Sequence, residues 1–237
     1  MPNSRTANRA NRRLRTRYLA RRLEILRAAG KMFRTHGFAE TGMRDIAAAA
    51  DLSPANLYNY FRGKHELLFF CQDNSLDRMI AALEKARCSR SSSAEKLQLV
   101  IESHIRCLLD EVEGSAAHLL TSALPSHLRR RLVAKRDRYE EGVRQIIAAG
   151  IRSGEFVPCD PALAARAILG ALNWSVQWFS PEGRLTAGEI AEEFAHYLTR
   201  GLVAKPAALT RSLATRNNQH SVPEYIPREL KRRALAR

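Results

Sequence analysis

Apolar residues recur three and four positions apart along most of this chain, and no run keeps the two-residue alternation of a half-buried strand. That periodicity points to an all-α fold of about nine core helices. Punctuation is legible in several places. A first helix over about 21–36 carries Ile25, Leu26, Ala29, Met32 and Phe33 and stops at Gly37, the residue suited to a left-handed C′ position. A long helix starts near Lys64 and fades into the polar stretch 88–93. Ser92 and Glu95 are spaced as a capping box for the next helix, which carries His104, Cys107 and Leu108. Asp160 as N-cap with Pro161 at N1 opens another, and Thr186 with Glu189 opens the last core helix.

Charge divides the 237 residues into three zones. Residues 1–22 hold eight Arg and no acid, residues 205–237 hold eight Lys or Arg against Glu224 and Glu229, and the span between them is nearly neutral. Basic tails attract polyanions by counterion release at any nucleic-acid sequence; the alternative is a solubilising tail. The N-terminal arm, 1–18, is expected to lie in a minor groove, and the tail 205–237 to be disordered with a short helix near 228–236. No apolar h-region and no run of about 18 apolar residues is present, so a cytoplasmic protein without membrane contact is expected. The four cysteines lack C-x-x-C pairing and read as reduced packing residues. His104, Cys107 and His118 lack a second ligand pair of convincing spacing, so no metal and no cofactor are expected. Without a Gly-rich phosphate loop, G-x-S-x-G or H-E-x-x-H, an enzyme is not expected either.

Residues 42–61 carry the most informative pattern. Small residues at 47–50 let two helices cross closely, Asp51-Leu52 makes a tight turn with Leu52 as an apolar plug, and Ser53 caps a helix with Pro54 in its first turn. Ile46, Leu57 and Phe61 face inward, which turns Ala55, Asn56, Tyr58, Asn59 and Tyr60 mainly outward. Amides pair with base edges, phenols with phosphate and an alanine methyl with a thymine methyl, so this short helix suits a major groove. Arg44 and Lys64 flank it as phosphate or guanine contacts.

Phe33, Gly37, Phe38, Thr41, Arg44-Asp45-Ile46-Ala47, Ser53, Leu57-Tyr58, Tyr60-Phe61, Lys64 and Glu66-Leu67-Leu68 together resemble the TetR family of repressors over about 19–79. The resemblance implies an N-terminal three-helix DNA-binding domain (19–79) with a helix-turn-helix at 42–61, and a C-terminal helical ligand-binding and dimerisation domain (80–204). It implies DNA contacts at Thr41, Gly42, Arg44, Ser53, Pro54, Ala55, Asn56, Tyr58, Asn59, Tyr60 and Lys64. Gly42 departs from the family's Thr or Ser, so a phosphate contact by hydroxyl there would fall to Thr41. The segment 173–185 resembles the end of TetR-type regulators of steroid and acyl-CoA catabolism. A small hydrophobic effector, an acyl-CoA or steroid-derived CoA thioester, follows from that resemblance, with His104, Leu108, Trp174 and Trp178 as pocket residues. Core or dimer packing is the competing role for both tryptophans. A four-helix interface between two copies would use Leu163, Ala167, Ala171, Trp174, Phe194, Tyr197 and Leu198.

Two functions follow as expectations. One is a ligand-released repressor acting as a homodimer on a palindromic operator. The other is an effector-independent DNA-compacting protein driven by its basic tails. The run Arg129-Arg130-Arg131 is read as a solvated face, with attraction of a phosphate-bearing ligand as its alternative.

Overall fold

A computed structural model describes residues 4–109 and 123–204. The expectations for His118 and for 205–237 lie outside the described residues. Eight helices are present among the described residues: α1 Ser4–His36, α2 Met43–Ala49, α3 Pro54–Tyr58, α4 Lys64–Cys88, α5 Ser93–Leu109, α6 Ser126–Arg152, α7 Pro161–Trp178 and α8 Ala187–Arg200. None of them is long and apolar enough to cross a membrane.

The expected caps form. Ser92 Oγ accepts from Glu95 N at 3.2 Å while the Glu95 carboxylate accepts from Ser92 N at 2.9 Å. Thr186 and Glu189 repeat the arrangement at 3.2 and 2.8 Å. Asp160 Oδ1 accepts from Ala162 N at 2.7 Å. In each case a side-chain oxygen satisfies a backbone donor that has no partner within the helix. Gly37 ends α1 with φ +82°, where a Cβ would be strained.

The first helix differs from its expected start. It begins at Ser4, not near Arg21, so most of the arm expected at 1–18 is the first part of α1. Helix α4 runs through the 79/80 boundary drawn from sequence. Its Leu67, Leu68, Cys71, Met79, Leu83 and Ala86 are buried, and the helix packs on α1 as well as on α5 and α6. Helix α5 is enclosed by α4, α6, α7 and α8, and eight of its residues are buried, including Val100, Ile101 and Ile105.

A short antiparallel bridge, Phe156 to Val203, ties the α6–α7 connection to the residues after α8, through Val157 N to Leu202 O at 2.7 Å and Ala204 N to Glu155 O at 2.9 Å. Cys71 and Cys107 are buried, as packing residues should be, but Cys88 and Cys159 are exposed and do not pack. Both lie where their helix or loop turns toward solvent, and apolar spacing alone does not separate that position from the core.

Helices α4 and α6 approach closely at Gly142, where a Cβ would sit 2.3 Å from Leu83 Cδ2. Leu83 is itself buried, so it has little room to move. Gly142→Ala is expected to destabilise the fold by about 1–3 kcal/mol. Leu83→Ala in the same chain should recover part of that loss, and denaturant melts of the two single variants and the double variant measure the coupling.

Candidate functional site

Helices α2 and α3 form the expected hairpin. Ile46 and Ala47 of α2 and Leu57 of α3 are fully buried, with α2 packed on α1 and α3 on α2. The turn between them closes through Leu52 N to Ala47 O at 2.8 Å and takes Asp51 to φ +53°, the left-handed region that Asp tolerates better than most residues. Ser53 Oγ accepts from Asn56 N at 3.2 Å, and Pro54 sits in the first turn of α3. With Leu57 inward, Pro54, Ala55, Asn56, Tyr58 and Asn59 are all exposed, as is Arg44 on α2. Asn59 Nδ2 donates to Asn56 Oδ1 at 3.3 Å, which holds the two amides side by side.

Four sequence-selected or neighbouring residues have occupations of their own. Thr41 is 1% exposed and its hydroxyl donates to Gly37 O at 2.6 Å, so it faces the α1–α2 turn and not the outer surface. Gly42 N donates to the Asp45 carboxylate at 2.8 Å, which caps α2 without a hydroxyl. Lys64 Nζ donates to Phe38 O at 3.0 Å, Ala39 O at 2.9 Å and Thr41 O at 3.4 Å, and lies 4.8 Å from the centre of the Phe38 ring. Its three donors are thus directed to the loop that leads into α2. Tyr60 is half-buried and stacks on Tyr18 of α1, with centroids 5.2 Å apart.

Two arginines that sequence reasoning missed fix α1 to this hairpin. Arg21 Nη2 donates to Ala50 O at 3.2 Å and Asp51 O at 3.4 Å, placing a cation at the C-terminus of α2. The Arg22 guanidinium lies between Phe61 at 4.4 Å and Phe70 at 4.0 Å, a cation–π arrangement. The run Arg129 to Arg131 is exposed as a solvated face would be. Arg131 also covers the Phe69 ring at 4.7 Å, in an open groove of about 710 Å³ that reaches Arg22 and Arg62.

A cavity of about 450 Å³ lies between α4, α5, α6 and α7, lined by Leu76, Met79, His104, Arg136, Tyr139 and Asn173 among others. His104 Nδ1 is 3.2 Å from the Tyr139 hydroxyl and Nε2 is 3.3 Å from Asn173 Oδ1. Because Asn173 Oδ1 only accepts, Nε2 carries the proton and Nδ1 accepts from Tyr139. Burial lowers the His104 pKa to about 4, against a smaller upward push from Asn173. Burial raises the Tyr139 pKa and lowers that of Arg136. Arg136 Nη2 donates to Gln72 Oε1 at 3.2 Å, and Arg166 pairs with Glu140 at 3.3 Å at the rim. The cavity therefore pairs apolar walls on α4 with neutral hydrogen-bonding groups and a desolvated cation, a setting for a small apolar molecule with a polar or anionic end.

Of the residues selected from sequence for this pocket, His104 lines it. Leu108 is buried elsewhere in the core, while Trp174 and Trp178 are 64% and 38% exposed and do not line it. Arg136, Tyr139 and Glu140 were missed, although their spacing on α6 places all three near the buried Val143 stripe. No group of His, Cys, Asp or Glu among the described residues is arranged to hold a metal ion.

The neutral His104 makes stability depend on pH. Its pKa in the fold is below the unfolded value of 6.5, so the unfolded chain takes up a proton first and stability falls as pH drops from about 6.5 toward 4. His104→Gln is expected to flatten that part of the profile, read as Tm against pH.

Comparison with known proteins follows the same two-part layout. Residues 25–69 match the model for bacterial regulatory proteins of the tetR family, and residues 90–202 match that for the tetracyclin repressor-like C-terminal domain. The TetR family transcriptional regulator PfmR from Thermus thermophilus is 34% identical, with a TM-score of 0.67 over 75% of this chain and 97% of that one. The HTH-type transcriptional repressor KstR2 of Mycobacterium tuberculosis is 28% identical over 190 residues, covering 77% of this chain and 93% of KstR2. AibR, solved in complex with isovaleryl coenzyme A and operator DNA, is 25% identical with a TM-score of 0.64 over 78% of this chain and 98% of AibR. The chain belongs to the TetR family of DNA-binding transcriptional regulators.

Proposed function

We propose that this protein is a ligand-released repressor that binds a palindromic operator as a homodimer. The observation that carries the reading is the outer face of α3: Ala55, Asn56, Tyr58 and Asn59 are exposed together while Leu57 beneath them is fully buried. Asn56 and Asn59 read base edges in the major groove, Tyr58 and Arg44 take phosphates on either side, and Ser53 and Pro54 set the angle of the helix. Lys64 and Gly42 act as positioning residues through the loop they hold. A protein of this kind meets two half-sites one turn of DNA apart, which requires two copies.

Helices α7 and α8 supply a surface for the second copy. Leu163, Trp174 and Tyr197 are 67%, 64% and 58% exposed, with Ala167 and Ala171 on the same side of α7 and Phe194 stacked on Trp178 at 6.0 Å. Leu163, Ala167, Ala171 and Trp174 are spaced by four, four and three, one stripe of a helix. An apolar stripe of that kind facing solvent marks an interaction site, and Leu198 at its edge is half-buried.

The effector is a small hydrophobic molecule with a polar end, seated in the cavity beside His104. The isovaleryl coenzyme A bound to AibR supports an acyl-CoA or a related CoA thioester, whose acyl part fits the volume of about 450 Å³. Occupancy favours a dimer whose recognition helices are wrongly spaced for adjacent major grooves, so DNA affinity falls.

Selection of DNA from a random library by the full chain tests the reading. Enrichment of one palindrome is expected, and Tyr58→Ala should lower affinity for it by 100-fold or more while sedimentation still reports a dimer. A flat selection, or unchanged affinity in Tyr58→Ala, sinks the assignment and favours the DNA-compacting alternative. Trp174→Arg should dissociate the dimer in the same sedimentation experiment.

A further inference from the structure

The first turns of α1 form an unusual helix. Eight Arg and no acid occupy residues 1–22, and Glu24 is the first acidic residue of the sequence. Arg13 and Arg17 are four apart and Arg12 and Arg15 three apart, so like charges repel along the surface. The first turn of α1 holds no acid either. Arg12, Arg13, Arg15 and Arg17 are all exposed. Such a surface attracts negative charge from outside the chain.

The base of this segment is fixed to the reading element. Tyr18 stacks on Tyr60, two residues past the end of α3, and Arg21 grips the carbonyls of the α2–α3 turn. Residues 4–17 extend from that anchor by about 21 Å at 1.5 Å per residue. At 3.4 Å per step this is the length of about six base pairs.

We propose that residues 4–17 are a helical clamp on DNA phosphates next to the half-site read by α3. The proposal rests on the DNA-binding reading of α3 but concerns a separate surface. An α-helix with side chains is about 10–12 Å across, whereas the minor groove is about 6 Å wide. The segment therefore lies along the phosphate ridge and does not enter the minor groove, which replaces the groove-inserted arm expected from sequence. Its contacts carry no base information. They raise affinity at every site and steepen the salt dependence, by about 0.9 in slope per phosphate engaged.

Two full-length variants test the clamp against a random-sequence 40-bp duplex, with affinity measured over a range of KCl concentrations. The first combines Arg12→Gln, Arg13→Gln, Arg15→Gln and Arg17→Gln. The second, Thr16→Pro, keeps every arginine but removes a backbone donor and clashes with the turn at Arg12, whose carbonyl accepts the Thr16 hydroxyl at 2.9 Å. The glutamine variant is expected to flatten the plot of log affinity against log salt by about two to four units. Thr16→Pro is expected to lose a large share of the same slope, with thermal melting of the core unchanged in both. An unchanged slope in the glutamine variant overturns the clamp. Wild-type binding by Thr16→Pro overturns its helical form. Library selection by the unmodified chain is a separate measurement: failure to enrich a palindrome removes the repressor reading, while the salt slopes still decide the clamp.

Discussion

The structure depends on one shared beam. Helix α4 is 25 residues long, Lys64–Cys88, and its two ends are buried in different company. Leu67, Leu68 and Cys71 are buried near the end where Phe70 meets Phe61 and Arg22, and Met79, Leu83 and Ala86 near the end that packs on α5 and α6. Burying a residue such as Leu contributes about 1.5–3 kcal/mol, so neither end detaches without losing several such contributions. Any shift of α4 is therefore felt on both sides of it.

The cations near the reading element have separate tasks. Lys64, Arg21 and Arg22 are directed to carbonyls and aromatic faces of their own chain, which fixes the angles among α1, α2 and α4. Arg44 and the arginines at 12–17 remain exposed. The residues that hold the hairpin in shape are thus distinct from those that meet solvent, even though both groups are cationic and close in sequence. Charge counting alone does not separate them, because the carbonyl acceptors of Lys64 lie more than twenty residues upstream.

What was legible in the sequence followed local rules. Ser92 with Glu95, Asp160 with Pro161 and Thr186 with Glu189 announce helix starts because the capping partner lies within three residues. The inward set Ile46, Leu57 and Phe61 was legible for the same reason. What escaped depends on distant partners. His104 was legible as a pocket residue, but its partners Tyr139 and Asn173, 35 and 69 positions away, were not. Trp174 and Trp178 share a helix side in the sequence, but only the packing of α7 on α5 and α6 turns them toward solvent. The start of α1 at Ser4 was not legible because residues 4–20 lack the apolar spacing that marks Ile25, Leu26, Ala29 and Phe33 as a buried face.

The cavity and the close contact at Gly142 act on the same pair of helices. Leu76 and Met79 of α4 and Arg136 and Tyr139 of α6 line one cavity, while Leu83 and Gly142 leave no spare space between α4 and α6. A contact without clearance resists translation but permits rotation about itself. On the proposed reading, an occupant that separated the helices at the cavity would act on α4 as on a lever whose other end, at Lys64 and Leu67, meets the helix-turn-helix domain. The polar set matters as much as the volume. His104 is neutral with both nitrogens already paired, and the charge at this cavity comes from the Arg136 guanidinium and the Glu140–Arg166 pair. A molecule that satisfied both, with apolar bulk against α4 and an acceptor toward α6, would bind two spacings of these helices with different energies, which is the difference that the proposed release from DNA requires.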